Sequence, residues 1–137
     1  MIIFENEMLT INEDLSCNKL LIQGKKNMYS EELCDEYKTF MNDLIIKYHD
    51  FYLNDNSFNI VLNLNFSELN FTEAYLTAKN LKQFHYDRQE LTDKFIKQTV
   101  IFCKSRLIKY ILTGIIKFRK MQRPVVFTSS QEIFDLS

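Results

Sequence analysis

Two hydroxyls stand where the chain changes rhythm. In "NIVLNLNFSELNFTEAYLTAKNL", residues 59–81, Ile60, Leu62, Leu64 and Phe66 alternate with Val61, Asn63, Asn65 and Ser67. From Thr72 onward the apolar residues fall at helical spacing. A strand hands over to a helix, and Ser67 and Thr72 lie at the join. A helix N-terminus presents unpaired backbone N–H groups and a partial positive charge. A phosphate is stabilised there, whether it arrives on a ligand or on a hydroxyl of the chain itself. The plain alternative is that Thr72 is an N-cap residue, contributing about 1 kcal/mol to its helix. The chain has neither a P-loop motif nor GxGxxG, so a nucleotide phosphate loop is not supported.

A second chemical signal is charge. Residues 1–93 carry 16 acidic and 8 basic side chains, whereas residues 94–123 carry nine basic ones and no acid, within a net charge of −1. Arg106, Lys109, Thr113, Lys117 and Lys120 are spaced to form one positive face of a helix, opposite a Leu/Ile stripe. That face is either a solvated exterior or a surface for an anionic partner, an acidic protein or a nucleic acid. Tyr110 and Phe118 do not give the interleaved stacking pattern of single-strand binders.

The remaining reactive residue types assemble no catalytic group. His49 beside Asp50 and His85 near Asp87 read as surface histidines. Ser129 and Ser130 sit in no nucleophile elbow. Cys17, Cys34 and Cys103 are odd in number and widely spaced, with no CxxC or Cys/His pattern. They imply reduced thiols in an intracellular, cytoplasmic protein without a disulfide framework. Cys103 falls in a buried strand and reads as inert. No metal or cofactor is implied, and the chain reads as non-catalytic.

The elements that must position these residues follow from periodicity. At 137 residues, 46% hydrophobic and 26% charged, the chain is long enough for one domain with one core, 1–137. With 2 Gly and 1 Pro it has no long flexible linker. No apolar run spans a bilayer, and "MIIFENEML" is too short and acidic for a signal peptide.

"MLTINEDLSCNKLLIQGKK" predicts a hairpin turning at "EDLSCN" and ending at Gly24. "YSEELCDEYKTFMNDLIIKYHDFYL" predicts a helix capped by Ser30, with Leu33, Tyr37, Phe40, Met41, Leu44, Ile45 and Tyr48 as its stripe. The strand at 58–66 is expected to be central, because Val61 adds apolar surface to its second face. The helix from Thr72 is expected to turn Ala74, Tyr75, Ala78, Leu81 and Phe84 inward. Asp87 and Glu90 suggest a capping box for a short second helix. "QTVIFCK" is a buried strand, "SRLIKYILTGIIKFRKM" a helix, "PVVFTSS" the last strand, and a short helix near Ser130 closes the chain. The order β-β-α-β-α-β-α-β-α predicts an α/β sandwich with a mixed, mostly parallel sheet of about five strands.

That order, with the strand–turn–helix at 59–81, resembles the STAS domain, the fold of bacterial anti-sigma-factor antagonists. In that family a strand ending in an Asp-rich turn leads to a phosphorylatable Ser or Thr at the start of the next helix. Thr72 in "LNFTEAYL" occupies the matching place. The SiaC-type regulatory phosphoproteins carry an Asn-Thr-Ser-Ser turn there, and begin with a hairpin, a G-x-S-Y-P-E turn and an aromatic-rich helix. "IQGKKNMYSEELCDEYKTF" is similar in layout, at Gly24, Tyr29, Glu31 and Tyr37. The departures are Asn63 in place of Asp, Phe71 before Thr72, and Glu73 and Ala74 after it. An acid directly after the hydroxyl repels a phosphate. The resemblance implies a regulatory, non-enzymatic module that binds another protein through Ser67, Asn70, Thr72 and Glu73, with phosphorylation near Thr72. The alternative is a nucleic-acid-binding accessory protein using segment 94–123. A third reading is homodimerisation through an exposed edge strand such as 8–12.

Overall fold

The computed structural model describes residues 1–25, 29–52, 57–63, 71–103, 106–117 and 125–128. The expected closing helix near Ser130, and Ser129 with it, lies outside them. The elements run β1 (Ile2–Glu5), β2 (Leu9–Asp14), β3 (Lys19–Gly24), α1 (Glu31–Tyr52), β4 (Phe58–Asn63), α2 (Phe71–Asp87), α3 (Gln89–Thr92), β5 (Ile96–Phe102), α4 (Arg106–Lys117) and β6 (Val125–Thr128). The six strands form one mixed sheet in the order β1-β2-β3-β4-β5-β6. The pairs β1–β2 and β2–β3 are antiparallel, and the three pairs from β3 to β6 are parallel.

The sheet corrects two expectations. A sixth strand, β1, precedes the predicted hairpin and pairs with β2, Phe4 lying opposite Ile11. Its four residues are too few for period-2 alternation to stand out. Strand 8–12 is therefore an interior strand, and β1 takes the edge. The hairpin itself forms as the pattern predicts, with Ile11 opposite Ile22. Its turn closes through Asn18 at φ 49°, a left-handed conformation that asparagine tolerates. The Asn18 carbonyl then accepts the Asn59 N–H at 2.8 Å, which ties the turn to the start of β4.

β4 is central, between β3 and β5. Phe58, Ile60 and Leu62 join the main core beneath the helices, while Val61 clusters with Phe102 and Leu21 on the other face. Three successive parallel crossovers of one hand place their helices on the same side of a sheet. α1 packs on α2, and α2 on α4.

α1 anchors the main core. The Ser30 side-chain oxygen accepts the Leu33 N–H at 3.2 Å, so the predicted cap is present. Cys34, Tyr37, Met41, Leu44, Ile45, Tyr48 and Tyr52 are buried. Tyr48 and Tyr52 pack on the fully buried Phe58 with ring centroids 4.7 and 5.3 Å apart, and Phe95 meets Tyr48 at 6.0 Å. Each such aromatic pair contributes about 0.5–1.5 kcal/mol beyond its buried area. The Tyr48 hydroxyl donates to a Glu13 carboxylate oxygen on the helix-facing side of β2. Burial, with Glu13 beside it, pushes the Tyr48 phenol well above the usual tyrosine range.

Between α2 and α3 the expected capping box does not form. The capping position is Arg88, which makes no side-chain cap hydrogen bond, and Asp87 instead accepts from Gln83 Nε2 at 2.7 Å. Arg88 holds the α1–α2 seam: its Nε donates to Asn42 Oδ1 at 3.0 Å, and its guanidinium lies 3.9 Å over the Phe84 ring.

Candidate functional site

α2 follows the central strand β4, so its first turn lies at the C-terminal edge of the parallel strands. Open α/β sheets place their binding sites at that edge. Thr72 is the second residue of α2 and its side chain is exposed. The helix begins one residue earlier than the expected cap, at Phe71. Thr72 therefore lies inside the first turn instead of capping it. Ser67 and Asn70 lie outside the described residues.

Glu73 is half-buried, and its carboxylate accepts the backbone N–H of Tyr29. Asn80, two turns further along α2, donates to the Tyr29 hydroxyl at 3.1 Å. Together they fasten the segment leading into α1 against α2. Glu73 thus has a structural partner, while Thr72 beside it faces water.

Beyond Thr72 the exposed residues continue along one side of α2: Tyr75, Leu76, Lys79, Gln83 and Tyr86. Tyr75, Leu76 and Tyr86 are 47%, 36% and 51% exposed. The expectation that Tyr75 faces inward is corrected: the structure turns it out. Ala78 and Leu81 are half-buried and Phe84 is buried, which fixes the inward direction. Tyr75 lies about 120° around the axis from the middle of the arc those three span and opposite Phe84, at roughly 100° per residue. Reading Tyr75 against Leu81 and Phe84 on a helical wheel gives this signal from sequence alone.

Both histidines are half-buried. The expected surface position of His85 is corrected: its Nε2 lies 3.0 Å from the Tyr37 hydroxyl, and its ring packs against Tyr37 and Phe84. His49 Nδ1 lies 3.6 Å from Asp50 Oδ1. Cys34 and Cys103 are buried and Cys17 is exposed, all three as free thiols. Burial pushes the Cys34 thiol up. Cys17 is raised chiefly by its hydrogen bond to Asp14, the carboxylate that accepts from Ser16 Oγ at 2.6 Å. A raised thiol carries less thiolate and is a poorer nucleophile. Among the described residues, no three His, Cys, Asp or Glu gather as a metal would require. No helix among them is long and apolar enough to cross a membrane.

On α4, Arg106, Lys109 and Tyr110 are exposed, Tyr110 by 78%. Thr113 is half-buried, its hydroxyl donating to the Lys109 carbonyl at 2.7 Å. Lys117 ends the helix, and Lys120 lies outside the described residues. The structure therefore joins the first turn of the expected basic face to an outward tyrosine.

Comparison of the chain with protein-family models, curated proteins and solved structures found no match in any of the three.

Proposed function

We propose that the chain is a non-enzymatic regulatory module of STAS-like design that binds another protein through the outward face of α2. One observation carries this reading: Thr72, Tyr75, Leu76, Lys79, Gln83 and Tyr86 line one exposed side of a single helix. Three large apolar or aromatic side chains left in water on one helix face mark an interaction surface. Tyrosine supplies much of the energy at the centres of such interfaces. Thr72, in the first turn, is the modification position. A phosphate there gains from the helix dipole and loses to the neighbouring Glu73 carboxylate.

Pull-down experiments test this reading with wild type, Thr72→Glu and the double variant Tyr75→Ser/Leu76→Ser. Wild type captures a stable protein partner, the double variant loses it, and Thr72→Glu changes its yield. Capture of no protein by any form rejects the proposal.

A second reading, nucleic-acid binding through α4, is favoured by the exposed cations Arg106 and Lys109 beside the exposed Tyr110 ring. Its signature is salt: binding of labelled DNA or RNA should weaken steeply as ionic strength rises. No binding at low salt removes it.

A further inference from the structure

The sheet edge formed by β1 meets α1 in an open groove. Its floor is aromatic: Phe4 of β1 stacks on Phe40 of α1 with ring centroids 4.8 Å apart. Both rings are half-buried, so each keeps a face toward the groove. Its rim is acidic, with Glu31, Glu32, Asp35 and Asp43 all exposed. Asp35 meets Lys38 at 3.9 Å, and among the described residues no Lys or Arg pairs with Glu31, Glu32 or Asp43. Glu31 and Asp35 are like charges one turn apart, a spacing at which they repel.

The complement of this groove is in the same chain. On α4, Tyr110 is the outstanding exposed aromatic, with Arg106 one turn before it and Lys109 adjacent. α2 lies between α1 and α4, packing on each of them, so the acidic groove and the basic helix occupy opposite ends of the helix layer. A formal net charge of −1 leaves little long-range repulsion between copies.

We infer that the occupant of the groove is α4 of a second copy of this chain. Tyr110 seats over Phe4 and Phe40, and Arg106 and Lys109 reach the rim carboxylates. This is helix-in-groove recognition with an aromatic anchor and charged flanks. The two surfaces differ and lie at opposite ends of the molecule, so the contact is heterologous and propagates head to tail.

Sedimentation of the full chain from about 10 to 300 μM, the range in which a weak contact populates, tests the inference. At about 20 mM salt the average mass should rise with concentration above 16.5 kDa. At about 500 mM salt, where screening is strong, it should fall to the monomer. Tyr110→Ser should weaken association by about tenfold or more, as loss of an aromatic anchor does. The paired reversals Glu32→Lys/Asp43→Lys and Arg106→Glu/Lys109→Glu should each leave a monomer. Every one of these substitutions is on an exposed side chain, and thermal unfolding shows whether each variant is folded. Mixing the two reversed chains brings one intact groove to one intact helix, and should restore species of at least twice the monomer mass. Three results overturn the inference: a monomer at every concentration at low salt, association that survives both reversals, or a mixture that stays monomeric. Association that survives would point to strand pairing at β1, and a monomer that binds DNA through α4 would assign that helix to nucleic acid.

Discussion

α1 and α2 are both amphipathic helices on the same side of the sheet, yet they use their apolar residues differently. α1 buries seven side chains along one stripe and leaves Ile46 and Phe51 as its large exposed apolar residues. α2 buries Phe84, half-buries Ala78 and Leu81, and turns Tyr75, Leu76 and Tyr86 to solvent. The difference separates a helix that makes the core from one that covers it and keeps apolar surface for something else. α1 lies over β2, β3 and β4, where Ile11, Leu20 and Phe58 need cover. α2 reaches the core through the Phe84 end, just beyond which Arg88 bonds Asn42, and is fastened nearer its start by Glu73 and Asn80 to Tyr29.

That contrast predicts a ranking of mutational effects. Ile45→Ala empties a buried site on α1 and should cost about 2–5 kcal/mol in urea unfolding. Tyr75→Ala on the exposed side of α2 should stay within about 0.5 kcal/mol while reducing partner capture. Equal stability losses at the two positions would erase the distinction.

Tyr48→Phe should cost about 1–3 kcal/mol, because Glu13 loses the hydroxyl that donates to it. This variant also carries a pH signature. The folded-state phenol is raised, so its contribution to stability is fully present below the unfolded tyrosine value of about 10 and is lost as pH rises above it. Urea midpoints between about pH 9 and 11 should fall more steeply for wild type than for Tyr48→Phe. Parallel curves would show that this proton is not held more tightly in the folded state.

Ser30→Ala removes the α1 cap and should cost about 1 kcal/mol. Asp87→Ala should change stability by less than about 0.5 kcal/mol, since no capping bond is made at the start of α3. A loss as large as that of Ser30→Ala would restore the capping box that the sequence pattern suggested.

Most of the sheet and all of α1 are legible in the chain. Ser30, the acidic first turn and the Leu33-to-Tyr48 stripe are local signals, each set by the 3.6-residue turn. The hairpin is legible because Leu9 and Ile11 alternate with polar residues on either side of a turn-forming run. β1 is not, because "IIFE" shows no alternation and becomes a strand through its pairing with β2. Tyr75 and His85 are misplaced by reasoning from residue type. An aromatic is assigned to the core and a histidine to the surface, while the helix turns the first toward water and sets the second against Tyr37. At the candidate site the exposed position of Thr72 is legible from the strand-to-helix change, and the engagement of Glu73 by Tyr29 is not.

The sequence alone determined the periodicities, the strand-to-helix handover near Thr72 and the separation of acidic from basic segments, because each is a property of neighbours along the chain. Long-range packing set which strand became the edge, which flank of α2 was left exposed and which aromatic rings met across the β1–α1 groove. Those outcomes depend on contacts between residues far apart in sequence, and local spacing carries no record of what a distant element will bring against it.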